Sequence, residues 1–268
     1  MANGITTRRS VASVETDAAL LSALRNAYRS MQALTDNRGW AYWAGLHGFP
    51  QWFCWHHGRA RGQMAQPPYN LFLPWHRAYL LYWENAMRDQ DPAAALPWWD
   101  WTSSSSHLIG IPRTFTEPLA DGSPNPLYAG PVPEIQGDPA HASTRDPGDP
   151  ADLPTRAQYD AVLALENFLD FQEQLENIHD GIHGWTGGDM GVVSTAAYDP
   201  VFWSHHCMID RAWAIWQDTF GVMSIPSDYL DRTLEPFALR VRDVLDITQL
   251  GYEYVVSRSS VVMIPNDV

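Results

Sequence analysis

Basic residues are scarce in this chain. Lysine and arginine together number 17 against 31 aspartates and glutamates, which gives a formal net charge of −14 over 268 residues. The basic residues form no long run, so nucleic acid and anionic membrane surfaces are poor partners for this chain. Apolar runs as long as a membrane span are lacking as well, so we expect no membrane partner.

Cysteine is equally scarce. Cys54 and Cys207 can form at most one disulfide, so the chain is not a disulfide scaffold. The first 21 residues hold an arginine pair but no uninterrupted apolar stretch, because acidic residues interrupt it. We therefore predict neither a secretory nor a twin-arginine signal. The expected location is the cytoplasm, with export on a partner protein as the alternative.

Apolar periodicity predicts a mainly α fold. A helical bundle core with long loops and little β structure, forming a single domain over residues 1–268, is the expected architecture. Residues 103–155 read as a long connection, because eight prolines and four glycines lie between 121 and 154. The tail at 251–258 has strand-like composition. Predicted helices cover 16–34, capped by Thr16, and 39–47, 75–89, 155–181 and 204–219.

Histidines cluster in two groups, and many of the 13 tryptophans lie near them. The stretch "HDGIH" places His179 and His183 four residues apart, on one face of a helix, where two imidazoles can reach one metal ion. Neutral imidazole suits zinc and copper alike. The bulky tryptophans are interpreted both as core packing and as a dry aromatic wall around a reactive centre.

A zinc protease is a weaker interpretation of the same stretch. "HDGIH" is similar to H-E-x-x-H, but Asp180 is shorter than the glutamate that would serve as base, and Gly181 weakens a helix centre. A structural zinc protein remains a further alternative.

Two longer segments carry a resemblance to a known family. "FLPWHRAYLLYWE" (72–84) matches F-x-x-W-H-R-x-x-L-x-x-x-E, and "DPVFWSHHCMID" (199–210) matches D-P-x-F-x-x-x-H-x-x-x-D. The chain thereby resembles the type-3 dicopper proteins, namely tyrosinases, catechol oxidases and molluscan haemocyanins. The resemblance is good over residues 40–220 and implies two copper ions in a dinuclear centre within the helical bundle.

The resemblance also implies the copper ligands. The first copper would be held by His47, His56 and His76, and the second by His179, His183 and His206. In the adjacent pair His205–His206, the second histidine matches the family's ligand, four residues after Phe202. Neighbours on a helix diverge by about 100°, so His205 is expected to point elsewhere.

His56 is the least certain of these ligands. The segment Cys54-Trp55-His56 resembles the Cys-x-His of family members that carry a thioether between the two side chains, and His57 is the alternative ligand. The spacing departs from the family, because His56 and His76 are twenty residues apart where about nine is usual.

Other positions bear on the substrate. Monophenol oxidases of the family often place asparagine after the first histidine of the second site, where it and a glutamate hold a proton-accepting water. Here Asp180 takes that place and Glu176 would be the glutamate. Gly184, after the next histidine, leaves the mouth of the site open and offers no cation for substrate carboxylates.

Two residues of the 199–210 segment are assigned auxiliary roles. Phe202 resembles an aromatic residue beside the copper centre, where it would stack the substrate ring or pack on His206. Asp210 shares a helix face with His206 and would support that imidazole or an arginine. For each carboxylate named here, an ordinary place on a helix is the alternative.

The function expected from the resemblance is a copper-dependent polyphenol oxidase that converts o-diphenols to o-quinones with O2. The alternatives are a full tyrosinase with monophenol hydroxylation, an o-aminophenol oxidase and, in a different class, a haemocyanin-like O2 carrier. Expected partners are a small phenolic substrate, O2 and a copper-delivery protein. The oligomeric state does not follow from the sequence.

Overall fold

Long α-helices form the frame of the fold. The computed structural model describes residues 4–57, 59–60 and 70–255. The mainly α prediction is confirmed. The α-helices in the described part are α1 (Val11–Glu15), α2 (Ala18–Ala33), α3 (Trp40–His47), α4 (Phe72–Gln90), α5 (Ser106–Ile109), α6 (Arg113–Thr116), α7 (Arg156–Leu163), α8 (Phe168–Thr186) and α9 (Pro200–Phe220).

Side-chain caps define where the long helices begin. Asp17 accepts hydrogen bonds from the first turn of α2, so the cap lies one residue after the predicted Thr16. Asn167 caps α8 in the same way. Asp199 caps α9, and Pro200 occupies the first helical position, where the missing N–H costs nothing.

The helix α4 lies at the centre of the bundle and packs against α2, α8 and α9. Its Trp83 stacks on Trp203 of α9, with ring centroids 3.5 Å apart and planes 7° from parallel. Both indoles are fully buried. Large, rigid aromatic side chains therefore fix α4 and α9 relative to each other, which positions the histidines that these helices carry.

The predicted helix over 155–181 is wrong as one element. The structure has α7 and α8 in its place, separated at residues 164–167, and α8 continues to Thr186. The long connection at 103–155 is largely irregular, as its prolines predict, but it contains the short helices α5 and α6.

Strands are short, of two or three residues each. They are β1 (Thr6–Arg8), β2 (Trp55–His56), β3 (Arg59–Ala60), β4 (Leu119–Ala120), β5 (Ser123–Pro124), β6 (Pro131–Val132), β7 (His141–Ala142) and β8 (Tyr252–Tyr254). β1 pairs in parallel with β8, with Thr6 opposite Tyr252. β8 lies within the predicted strand-like tail at 251–258, of which residues 256–258 are outside the described part.

A buried ionic cluster fastens the β1–β8 pair to the bundle. Arg8 donates from Nη2 to Glu84 Oε2 at 2.8 Å and from Nη1 to Asp210 Oδ2 at 3.1 Å. Arg77 donates from Nε to the other oxygen of Asp210 at 2.5 Å, and the hydroxyl of Tyr254 donates to Oδ2 at 2.5 Å. Burial by itself would raise the pKa of Asp210, but the two guanidinium groups hold it below its ordinary value.

No helix in the described ranges is both long enough and apolar enough to cross a membrane.

Candidate metal centre

The first histidine triad joins three elements. His47 is the last residue of α3, His56 lies on β2, and His76 lies near the start of α4. Their ligand atoms lie within 4.8 Å of one another, and His47 Nε2 is 3.3 Å from His56 Nε2. Nδ1 of His76 is 2.8 Å from the carbonyl of Phe72, to which it donates, and this fixes the ring and leaves Nε2 as the ligand atom.

The second triad joins α8 and α9. Nε2 of His206 lies 3.2 Å from Nε2 of His179 and 3.2 Å from Nε2 of His183. The far nitrogens of the two α8 rings are held as well. Nδ1 of His183 is 2.8 Å from the carbonyl of Met190, and Nδ1 of His179 is 2.9 Å from Asp180 Oδ1. A proton on each Nδ1 satisfies these acceptors, so each Nε2 presents its lone pair to the centre of the group.

The two triads face each other across the bundle. The rings of His76 and His206 stack with centroids 4.5 Å apart, and those of His56 and His179 with centroids 5.5 Å apart. Two metal ions, one in each triad, would therefore be neighbours.

The electrostatics suit a cation. Burial lowers the pKa of His76 to about 3 and that of His183 to about 4, and it lowers the other four ligand imidazoles well below their usual value. All six rings are thus neutral at neutral pH, which is the protonation state that binds metal. The Nε2 atoms of neighbouring ligands converge at 3.2–3.3 Å, a spacing at which one cation can take a lone pair from each, so the donor set fits a metal ion.

His205 lies closer to this centre than expected. It belongs to the same group as the second triad, is fully buried, and stacks on His179 with centroids 5.1 Å apart. The 100° divergence of adjacent helix positions therefore does not carry its ring away. His206, however, is the neighbour whose Nε2 meets the Nε2 atoms of both α8 histidines.

Two carboxylates on α8 contact the loop that carries His56. Glu176 is fully buried and accepts the His57 N–H at 2.6 Å and the Asn70 side-chain amide on its other oxygen. Burial raises the pKa of Glu176 to about 7, although these donors act in the opposite direction. Asp180 Oδ2 lies 2.5 Å from His57 Nε2, and Asp180 Oδ1 accepts from His179. His57 is thus held outside the triad, by Asp180.

The other predicted site residues, Phe202, Cys54 and Asp210, are all buried but have different neighbours. Phe202 is fully buried, with its ring 4.0 Å from that of His206 and 4.8 Å from that of His47. Cys54 is buried two residues before His56, and neither cysteine of the described chain forms a disulfide. Asp210 contacts the buried arginines described above, which is the second of its two expected roles.

A cavity of about 280 Å³ opens over the histidines. Asp180 borders it with a side chain that is 44% exposed. A methyl group built on Gly184 meets no atom within 4 Å, so the cavity has space on this side. The lining residues are His47, His56, His57, His179, Asp180, His183, Gly184, Met190, Gly191, Val193 and Ala196.

Asn70, Gln172 and the carbonyl of Met190 also hold the site, and the sequence did not predict them. Gln172 accepts the Leu73 N–H at 3.2 Å and donates to the carbonyl of Asn70 at 2.8 Å. One signal was available, because Gln172, Glu176 and Asp180 recur every four residues and so share a helix face. A backbone carbonyl leaves no signal in the sequence.

Two triads of neutral imidazoles, set face to face in a helical bundle, match a type-3 dinuclear copper site. Comparison with known proteins agrees with this class. The model of the common central domain of tyrosinase matches residues 37–219. The chain belongs to the tyrosinase central-domain family of type-3 dicopper proteins, which includes tyrosinases and haemocyanins.

Relatives of both kinds are similar to this chain. The tyrosinase of Streptomyces antibioticus is 36% identical over 171 residues, which cover 54% of this chain and 62% of the relative. Unit G of the beta-C haemocyanin chain of Helix pomatia is 31% identical over 259 residues, which cover 86% of this chain and 61% of the relative. The chain thus spans less than two thirds of the length of these curated relatives.

Solved structures show the same two kinds of neighbour. The tyrosinase of Burkholderia thailandensis superposes with a TM-score of 0.81 at 24% identity, over 95% of this chain and 74% of that one, a likeness of fold alone. A functional unit of octopus haemocyanin superposes with a TM-score of 0.76 at 26% identity, over 94% of this chain and 68% of that one.

Proposed function

We propose that this chain is a copper-dependent polyphenol oxidase that oxidises o-diphenols to o-quinones with O2. The observation that carries the proposal is the open cavity. It reaches four of the six ligand histidines directly, and Gly184, Gly191 and Ala196 on its wall leave space for a small aromatic ring. An O2 carrier needs the opposite, a metal centre that phenols cannot reach.

The reaction consumes two o-diphenols for each O2 and forms two o-quinones and two waters. Each diphenol loses two electrons and two protons. Bound copper would supply the O2 chemistry and the electron transfer. The protein supplies neutral imidazoles, so no histidine charge opposes the metals, and the hydrogen bonds from Nδ1 of His76 and His183 fix the orientation of these ligands.

Phe202 is proposed to pack rather than to stack the substrate. Its ring is fully buried behind His47 and His206, so it supports these two ligands from the side away from the cavity. The wall that a substrate ring would contact is formed by Val193, Met190 and the imidazoles that line the cavity.

Weak monophenol oxidation is part of the proposal. Hydroxylation of a monophenol needs its proton removed first, and an ordered water would need free hydrogen-bonding groups to hold it. Asp180 already accepts from His179 and His57, and both oxygens of Glu176 accept from protein donors. These carboxylates are therefore committed to the protein, which favours a catechol oxidase over a full tyrosinase.

An O2 carrier is the second candidate, because a haemocyanin unit is similar to this chain over 86% of its length. The two candidates differ in whether phenols reach the metals. Among the described residues, Asp180, Gly184 and Val193 line the cavity, and a methyl group built on Gly184 meets no atom within 4 Å.

The test is turnover by the copper-loaded protein on catechol, tyrosine, tyramine and o-aminophenol, followed by quinone formation and O2 uptake. We expect rapid O2 uptake and quinone formation with catechol. The zinc-loaded protein and the copper-treated His206→Ala variant are the controls. Reversible O2 uptake without quinone would favour the carrier, brisk reaction with tyrosine or tyramine would favour the tyrosinase, and preference for o-aminophenol would favour that oxidase. A protein that retains zinc in preference to copper and takes up no O2 would favour the structural metal site.

A further inference from the structure

His56 is held differently from the other five ligands. The other five lie on α3, α4, α8 and α9, whereas His56 lies on the two-residue strand β2. The sequence runs twenty residues from His56 to His76. A longer connection restrains its ends less, so the short strand by itself gives His56 little fixed direction.

A polar stripe on α8, formed by Gln172, Glu176 and Asp180, supplies that restraint. Glu176 holds the backbone N–H of His57 on one oxygen and the side chain of Asn70 on the other. Gln172 donates to the carbonyl of Asn70. One helix face therefore fastens the chain both directly after His56 and shortly before His76.

Asp180 extends this restraint to the side chain of His57. The distance from His57 Nε2 to Asp180 Oδ2 is 2.5 Å, and charge-assisted hydrogen bonds of this kind are the strong ones. His57 has a φ of 47°, which is unfavourable for a residue with a side chain and persists only where contacts hold it. The two bonds from α8, to the backbone and to the ring, are such contacts.

We propose that the α8 stripe positions His56 for copper, so that the affinity of the first site depends on the helix that carries the ligands of the second. Asp180 links the two sites directly. Its Oδ2 bonds His57, which follows the first-triad ligand His56, and its Oδ1 bonds the second-triad ligand His179. The inference rests on the proposed function only in taking copper as the metal. Glu176 and Asp180 are thus positioning residues.

Copper retention tests the link. The variants are His57→Ala, Asp180→Ala and the double variant, with copper per chain measured by metal analysis after dialysis against increasing chelator. Losing a group that supports a metal ligand typically costs about 10–100-fold in affinity. We expect His57→Ala to lose one copper at about 10-fold less chelator than the wild type and to keep the second.

A double-variant comparison separates a shared link from two independent effects. If His57 and Asp180 act through one contact, the double variant loses the first copper no more readily than Asp180→Ala alone. EPR gives a second readout, because the single Cu(II) that remains in a half-loaded chain is paramagnetic.

Glu176→Gln, which keeps an acceptor for the His57 N–H, should retain copper better than Glu176→Ala.

His107→Ala is the matched control, since this partly buried histidine bonds a backbone carbonyl in the long loop, away from the triads. Wild-type copper retention in His57→Ala, or equal effects of His107→Ala, would overturn the inference. A wild type that binds two coppers but oxidises no phenol would instead overturn the proposed function and leave this test intact.

Discussion

The adjacent histidines on α9 differ in what their nitrogens meet. His206 Nε2 lies 3.2 Å from two other Nε2 atoms, whereas His205 contacts the group by ring stacking. We expect His206→Ala to lose one copper and all oxidase activity, and His205→Ala to keep two coppers per chain. Metal analysis of both variants checks this, and the opposite pattern would exchange the roles of the pair.

The buried Cys54 is predicted to be joined to His56 by a thioether. Such a bond would fix the imidazole before copper enters, which is useful for the one ligand on a short strand. The test compares the intact masses of the wild type and of Cys54→Ser after copper loading and exposure to O2. Once the mass difference between cysteine and serine is subtracted, the wild type should be lighter by two hydrogens. A thiol that reacts fully in denaturant would exclude the bond.

Asp180 is predicted to limit monophenol oxidation. An ionised aspartate can only accept hydrogen bonds, whereas asparagine both donates and accepts, so it can orient a water. We expect Asp180→Asn to raise the ratio of monophenol to diphenol rates several-fold. Initial rates on tyramine and dopamine, compared at equal copper content, measure this. A lower ratio in the variant would mean that the carboxylate itself takes the phenol proton.

At the residue scale, the sequence predicts chemistry better than contacts. The spacing of His179 and His183 requires one helix face, and the structure has them there. The positions of His57 and His205 are different. Which way a loop residue turns, and how far a ring reaches across a helix interface, depends on the packing of other elements, so neither the bond from His57 to Asp180 nor the stacking of His205 was predictable.

At the scale of elements, the boundary between α7 and α8 shows a similar limit. Residues 164–167 contain no proline or glycine, so periodicity alone joins the two helices. The break is made by Asn167, whose side chain caps α8 at the backbone N–H groups of Leu169 and Asp170. Asparagine within a helix is common enough that the cap becomes evident only from the geometry.

The strand β1 is predicted to contribute strongly to stability through Arg8. Its guanidinium is fully buried against Glu84 and Asp210. Removing one partner of a buried ion pair leaves an uncompensated charge and costs about 3–5 kcal/mol. We expect Arg8→Met to lower the free energy of unfolding by that amount, measured by urea denaturation. Arg9→Met, on the neighbouring exposed position, should change it little, and equal effects would contradict this role.

At the scale of the whole molecule, the buried histidines make the metal-free protein sensitive to acid. In the unfolded chain a histidine has a pKa near 6.5, whereas in the fold His76 and His183 have pKa values of about 3 and about 4. Below pH 6.5 the unfolded state therefore binds more protons, so stability falls as the pH is lowered toward these values.

We expect the metal-free protein to lose at least about 2 kcal/mol of unfolding free energy between pH 7.5 and 5.5, since each such histidine contributes roughly 1.4 kcal/mol. Urea denaturation at the two pH values measures the loss. Copper binds the same neutral imidazoles, so the loaded protein should be more stable at both values. A metal-free protein with equal stability at both would show that these histidines are protonated in the fold.

How the helices assemble followed from the sequence only in part. The existence of α2, α3, α4 and α9 was predictable within a few residues, because each contributes many buried side chains to the same core. The parallel pairing of β1 with β8 left no local signal, because it joins residues some 246 positions apart. The pairing of β1 with β8 depends on the packing of the helices, which brings the two distant strands together.

That pairing also sets an order in time. Arg8 is synthesised before its partners, because Glu84 follows 76 positions later, Asp210 202 positions later and Tyr254 246 positions later. At a synthesis rate of 5–20 residues per second, the wait for Tyr254 is roughly 12–50 s. During it, β1 has no strand to pair with and the buried cluster around Arg8 is incomplete. Closure of the fold around this arginine is therefore a late event, completed only after β8 has left the ribosome.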